Sequence, residues 1–184
     1  MNKLLLVTGD IAAGKSTFSS LLSQRYAVAV FQKDIVKEVL SGRLSFHRRE
    51  DNQALSYAAV DLMCHVFSQT APTGASLILE ANFHTWELEA LHASAAEHRY
   101  DVLTLILRGS PEVLHRRYLH RMHEENRHPT HLVAALHEVE DFIQVAQDLR
   151  AEPVPGDTLT IEATGFSYQT DPAILAQIDA FMGG

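Results

Sequence analysis

The spacing of apolar positions changes period repeatedly along the chain. Leu4, Leu5, Leu6 and Val7 form a short continuous apolar run, as expected of a strand buried on both faces. From Phe18 the spacing opens to a helical one, with Leu21 and Leu22 on the same face. "YAVAVF" (26–31) returns to strand character, and "DIVKEVL" (34–40) starts a helix that Gly42 ends. Leu55, Ala58, Ala59, Leu62, Met63 and Val66 predict a longer helix over 52–67, broken by Pro72 and Gly74. "SLILEANF" (76–83) predicts a third strand, 86–98 a helix and "DVLTLIL" (101–107) a fourth strand. Ser110-Pro111 opens the next helix, with serine at the N-cap and proline just inside, and the helix is expected to reach about Asn126. Pro129 forces His128 out of helical geometry, and a further helix is expected over 131–149. "TLTIEA" (158–163) predicts a fifth strand and 171–181 a last helix. Strands alternating with helices in this way predict an α/β fold, a parallel sheet covered on both faces.

The turn between the first strand and the first helix carries the strongest chemical signal. Gly9 to Ser16 spells G-x-x-x-x-G-K-S, the phosphate-binding loop pattern, in the strand–loop–helix context the pattern demands. Such a loop turns several backbone N–H groups toward one point, and the helix dipole adds positive potential there. A polyphosphate fits that gap. Lys15 can reach the β- and γ-phosphates, and the Ser16 hydroxyl can ligate Mg²⁺.

Composition narrows the class of partner. The 184 residues suit one domain, taken as 1–184, and the apolar (46%) and charged (21%) fractions are ordinary for a globular protein. The net charge of −8 argues against nucleic acid as partner, because such a binder must neutralise phosphates. The single cysteine, Cys64, falls in an apolar helical pattern and reads as a core residue. The apolar start is too short for a signal peptide, and no apolar run approaches ~18 residues, so a cytoplasmic protein without membrane contact is expected. Histidine is abundant between 115 and 137, but His120 and His123 have no companion at a known zinc-ligand spacing.

In an open α/β sheet, ligands sit beyond the carboxyl ends of the strands. Asp34 follows the second strand and Glu80 ends the apolar run of the third. A carboxylate there can orient water on Mg²⁺ or accept a proton from a substrate hydroxyl, and Asp34 also suits the start of its helix. Downstream, Arg117 and Arg121 are four apart on one helix face, and Arg127 lies at the turn before Pro129. Arginines so spaced can close over a triphosphate.

With these pieces in place the chain resembles, over nearly its whole length, the small P-loop kinases grouped with adenylate kinase, shikimate kinase, gluconate kinase, chloramphenicol phosphotransferase and the zeta-toxin kinases. The resemblance implies a three-layer sandwich with sheet order 2-3-1-4-5. It implies ATP bound with Mg²⁺ by Gly9, Asp10, Ile11, Ala12, Ala13, Gly14, Lys15, Ser16 and Thr17, and transfer of the γ-phosphate to a hydroxyl of a small molecule. Asp34 would act on the acceptor hydroxyl, and Glu80 would support the metal. "SPEVLHRRYLHR" resembles the approach to a lid, short here at about 117–131, with Arg117 stacking on adenine, Arg121 contacting phosphates and Arg127 as a further lid arginine. "EATGF" is similar to the loop bordering the base, which brings in Thr164 and Gly165. A monomer or homodimer is expected. The acceptor pocket is expected between the helix at 34–40, the segment 43–60 and the stretch after Glu80, with Arg43, Arg48, Tyr57, His84 and Trp86 as lining candidates.

Rival classes leave weaker traces. A regulatory GTPase needs N-K-x-D and D-x-x-G motifs downstream of the loop, and neither occurs. "LSGR" (40–43) matches only the start of a transporter ATPase signature. A nucleotide-binding regulator would have no use for Asp34 and the lid arginines. A zeta-toxin-like kinase acting on a nucleotide sugar shares all of these features and stays open beside a metabolite or antibiotic kinase.

Overall fold

A computed structural model describes residues 2–44, 46–124, 128–131 and 136–183. Five strands, β1 (Lys3–Gly9), β2 (Ala29–Gln32), β3 (Leu77–Glu80), β4 (Asp101–Arg108) and β5 (Asp157–Glu162), form one parallel sheet in the order β2-β3-β1-β4-β5. Between and after them run helices α1 (Lys15–Tyr26), α2 (Lys33–Ser41), α3 (Arg49–Thr70), α4 (Thr85–Glu97), α5 (Pro111–Glu124), α6 (Val139–Ala151) and α7 (Pro172–Gly183). Among the described residues, no helix is long and apolar enough to cross a membrane.

The unbroken apolar run of β1 follows from its central place. Leu4 and Leu6 point to one face, against Val60, Met63 and Phe67 of α3 and Leu88 and Leu91 of α4. Leu5 and Val7 point to the other, against Phe18 and Leu22 of α1, Leu114 of α5, Phe142 of α6 and Ile178 of α7. A strand with a core on each side has no polar face to show, so period two disappears from its sequence. Burying each such leucine contributes about 1.5–3 kcal/mol, which fixes β1 as the scaffold on which the following loop is held.

Three elements differ from the pattern's expectation. β3 stops at Glu80 because the chain folds in over the end of β1: Ala81 N–H donates to Val7 O at 3.1 Å and Phe83 N–H to the Thr8 hydroxyl at 3.3 Å. β2 starts only at Ala29, since α1 runs through Tyr26 and closes on Ala27 in the left-handed region (φ 53°). Where one helix was expected over 131–149, a 3₁₀ turn spans Pro129–His131 and α6 begins at Val139; residues 132–135 lie outside the described residues.

Register sets the site. Val7 pairs with Glu80, Gln32 with Glu80 and Gly9 with Leu107, so the carboxyl ends of β1, β2 and β3 finish on one edge of the sheet. This is the edge at which open α/β sheets hold their ligands.

Candidate active site

The loop from β1 to α1 is shaped by two glycines. Gly9 has φ 119°, and a side chain there would collide with the backbone of Leu107, whose carbonyl accepts the Asp10 N–H at 2.8 Å. Gly14 has φ 90°, and a Cβ would sit 2.6 Å from the Tyr168 hydroxyl. That hydroxyl donates to Ala13 O at 2.8 Å, and the Tyr168 ring meets Phe18 edge-on at 5.2 Å, so the loop is pinned from below. α1 then opens without a side-chain cap, leaving its first turn of N–H groups to the cleft in front of it.

Lys15 lies across the loop, its ammonium donating to Asp10 O at 2.7 Å and Gly9 O at 3.1 Å. Burial pulls its pKa below the ordinary lysine value, against the pull of Glu80 and Asp34 nearby. Ser16 Oγ donates to Glu80 Oε2 at 2.9 Å. Burial pushes the Glu80 carboxyl up, and Lys15 and the Ser16 hydrogen bond oppose this. Asn82 Nδ2 donates to Gly9 O at 2.7 Å, and Gln32 Nε2 to Ser16 O at 2.7 Å, so the ends of β3 and β2 brace the loop from the side. Ser16 and Glu80 offer two hard oxygen donors beside a helix start, a set suited to Mg²⁺.

A cleft of about 1240 Å³ runs along this edge. At one end Arg117 of α5 donates to Ala163 O at 3.1 Å and to Thr164 O, and its guanidinium covers the Phe166 ring at 4.0 Å. Arg121, one turn further on α5, also lines the cleft. At the other end are Lys33, Asp34, Lys37 and Glu38 of α2, Asn52 of α3, and the 128–131 turn. That turn is docked on α2: His131 Nε2 lies 2.7 Å from Glu38 Oε1, His131 Nδ1 lies 4.0 Å from Asp34 Oδ2, and Lys37 Nζ donates to Thr130 O at 3.3 Å. Burial acts to raise the Asp34 carboxyl, but Lys33, His131, Lys15 and Lys37 together outweigh it and hold the group below the usual carboxylate range.

The structure brings most of the sequence-predicted residues together and moves some. Ile11, Ala12, Gly14, Lys15, Ser16, Thr17, Asp34, Glu80, Arg117 and Arg121 line the one cleft. Asp10 is placed elsewhere: its side chain is 1% exposed and turned away, accepting from Arg150 Nε at 3.0 Å and from Gly109 N–H at 2.9 Å. Arg117 lies with one guanidinium face on Phe166, and Phe166, next to the predicted Thr164 and Gly165, is the cleft-lining member of that loop. Thr164 instead accepts the Ser110 N–H on its hydroxyl at 2.7 Å. Arg127 lies outside the described residues. The expected acceptor lining is corrected more fully. His84 is held by Glu152 at 2.8 Å, Arg48 by Asp51 at 3.0 Å, Arg43 is exposed, and Tyr57 and Trp86 face each other at 6.4 Å on the surface. Lys33, Lys37, Asn52 and the 128–131 turn stand where these were expected.

Sequence reasoning gave no role to Asn82, Gln32, Phe166, Arg150, Lys37 or Asn52. Lys33 and Lys37 had a legible signal, since they are four apart on the helix that carries Asp34. Asn52 and Arg150 had none.

Comparison with known proteins supports the fold. Residues 4–149 match the family model described as "AAA domain". No curated protein matches the chain. Among solved structures, a candidate kinase from Chloroflexus aurantiacus is 27% identical with a TM-score of 0.83, over 97% of each chain. The shikimate kinase of Bacteroides thetaiotaomicron superposes with a TM-score of 0.62 at 17% identity over 99% of each chain. The tunicamycin resistance protein of Deinococcus radiodurans gives 0.60 at 16% identity, over 98% of this chain and 96% of its own. The chain therefore belongs to the AAA domain family and has the fold of the small P-loop kinases.

Proposed function

We propose that the protein, as a single kinase domain over residues 1–184, transfers the γ-phosphate of ATP to a hydroxyl of a small molecule. One observation carries this reading. A single cleft holds the phosphate loop at its centre, an arginine–aromatic pair at one end and a carboxylate among cations at the other. ATP fits with its base toward Phe166 and Arg117 and its phosphates on the N–H groups of Gly14 to Thr17. The far end is then left for an acceptor, facing Asp34.

In the transfer, Asp34 takes the proton of the acceptor hydroxyl as its oxygen bonds to the γ-phosphorus. The bond from that phosphorus to the β–γ bridging oxygen breaks, and ADP leaves with the electron pair. The cations around Asp34 keep it ionised and able to accept. Lys15 swings from the loop carbonyls onto the phosphate oxygens, and Arg121 adds a second positive charge as negative charge shifts toward the leaving oxygen. Ser16 would hold Mg²⁺, with Glu80 supporting it through the Ser16 hydroxyl, and the ion would supply charge neutralisation to the transferring phosphate.

The decisive test is Lys15→Ala, assayed as ADP formation with ATP and Mg²⁺ over hydroxyl compounds. Loss of one such charged donor lowers transfer by about 10²–10³. Transfer that survives within about tenfold removes the loop from the reaction and the reading with it.

A further inference from the structure

Lys15 rests on two carbonyls of its own loop, donating to Gly9 O at 3.1 Å and to Asp10 O at 2.7 Å. In the transfer proposed above it leaves both for the phosphates, so two carbonyls lose a donor in one step. Each has a second. Asp10 O also accepts the Ala13 N–H, at 3.4 Å within the loop. Gly9 O also accepts Asn82 Nδ2, at 2.7 Å, from a side chain 73 residues further along the chain.

The sheet explains why an amide stands there. On the β3 side of β1, Val7 O accepts the Ala81 N–H at 3.1 Å. Gly9 lies two residues on, where a parallel ladder would present its next backbone donor. β3 itself stops at Glu80, and the Phe83 N–H is turned to the Thr8 hydroxyl at 3.3 Å. The Asn82 carboxamide supplies the donor that the backbone does not. Its orientation is fixed by its partner, because a carbonyl only accepts and the nitrogen must face it.

We propose that Asn82 is a positioning residue that holds Gly9 O while Lys15 changes partner, so that the loop keeps its shape as the lysine moves onto the phosphates. The proposal rests on the phosphotransfer reading above and adds a residue to it. With Lys15 on the loop, Gly9 O has two donors, and losing one is cushioned by the other. With Lys15 on a phosphate, Asn82 is the side-chain donor left to this partly buried carbonyl, and without it the oxygen is bare. Loss of Asn82 therefore falls on the nucleotide-bound form and reads as weaker ATP binding, with little change in the stability of the free chain. Asn82 also lines the cleft, so a direct contact with phosphate would weaken ATP as well. The two origins differ in their dependence on Lys15.

The test is a double-mutant cycle on the whole chain: wild type, Asn82→Leu, Lys15→Met and both together. The Kd of ATP with Mg²⁺ and the Tm of the free protein are measured for each. Leucine matches asparagine in size and keeps water from the gap. In the wild-type background, Asn82→Leu raises the Kd of ATP about tenfold, as for one carbonyl left without its donor, and moves Tm by less than about 2 °C. In the Lys15→Met background the pattern inverts. Gly9 O then depends on Asn82 in free and bound forms alike, so Asn82→Leu moves the Kd by less than about twofold and lowers Tm by about 3–6 °C. Should Asn82→Leu fail to fold, Asn82→Ala reads the same cycle. A tenfold effect on Kd that persists in the Lys15→Met background assigns Asn82 to the phosphates directly and overturns the proposal. So does a lowered Tm with an unmoved Kd in the wild-type background, which makes Asn82 a brace only. Where Lys15→Met binds ATP too weakly to measure, the four Tm values decide, and equal falls in both backgrounds overturn the proposal. Failure of ATP to bind the wild-type protein overturns the phosphotransfer reading, and this one with it.

Discussion

The two ends of the cleft are built from different material. The end proposed for nucleotide leans on backbone, with a loop between two positive-φ glycines, a helix start, and the carbonyls of Ala163 and Thr164 that hold Arg117, and adds the side chains of Lys15, Arg117 and Phe166. The end proposed for the acceptor is made of side chains, drawn from α2, α3 and a 3₁₀ turn that are far apart in sequence. A backbone site suits a ligand part that is always the same, such as a triphosphate. A side-chain site can be rewritten residue by residue without touching the fold. The likeness to a shikimate kinase and to a tunicamycin resistance protein shows one scaffold carried by proteins with different names.

The largest expected effect separates the two ends directly. Asp34→Asn keeps the shape of the side chain and cannot take the hydroxyl proton, so turnover falls by about 10²–10⁴. The Kd of ATP stays where it is, if Asp34 serves the acceptor as proposed. The surrounding cations hold its carboxyl below the usual range, so it is ionised throughout neutral and mildly acidic solution. The ratio of wild-type to Asp34→Asn turnover therefore stays constant from about pH 8 to pH 5 and shrinks only below about pH 4, as the wild-type carboxylate takes up its proton. A weakened ATP Kd with normal turnover would place Asp34 on the nucleotide instead.

The second effect is on stability and tests whether the loop is braced as rigidly as its hydrogen bonds imply. Asp10 is a buried carboxylate held by Arg150 and by the Gly109 N–H, tying the loop to α6 and the end of β4. Arg150→Met removes the counter-charge and leaves the carboxylate buried. Breaking such a pair costs about 3 kcal/mol, a loss of roughly 6–12 °C in Tm for a chain of this length. Replacing both residues with apolar ones, Asp10→Leu with Arg150→Met, recovers part of the loss. A Tm shift under about 3 °C in the single variant, together with a weakened ATP Kd, would mean that Asp10 faces the nucleotide after all.

This pair also shows where the sequence stops being informative. The loop was legible because its constraints are local: a steric demand for glycine at positions 9 and 14, a lysine at a fixed offset, an apolar run before and a helical period after. The strand order of the sheet was reached through the family resemblance that this loop supports, and the parallel class through the alternation of periods. Asp10 sits inside the motif, yet its side-chain partner Arg150 is 140 residues away on α6, and no spacing announces that contact. Asn52 is the same case at the acceptor end. It falls on a helix whose period was recognised, but its place in the cleft depends on α3 packing against α2, a tertiary fact. The aromatic residues expected at the acceptor pocket illustrate the converse. Trp86 and Tyr57 lie in chain segments near Asp34 and Glu80, but packing turns both rings to the surface.

The smallest expected effect concerns the contact that closes the acceptor end. The turn at Pro129–His131 rests on α2 through His131 and Glu38, 2.7 Å apart, with the His131 side chain 9% exposed and that of Glu38 31% exposed. Thr130 is buried beneath the turn and its carbonyl accepts from Lys37. If the turn is part of a lid, Glu38→Gln weakens its seat without removing any group that touches the phosphates. A partly exposed pair of this kind is worth about 0.2–1 kcal/mol, so the docked state should lose at most roughly fivefold in population. Hydrogen exchange of residues 128–131 should speed up by that factor. The KM of the acceptor should rise by a similar factor, while the Kd of ATP stays fixed, because the phosphate loop and Phe166 do not touch Glu38. Exchange that is equally slow in wild type and variant would show the turn to be a rigid corner of the fold. Both ends of the cleft would then be preformed, and the acceptor would have to enter without movement of this turn.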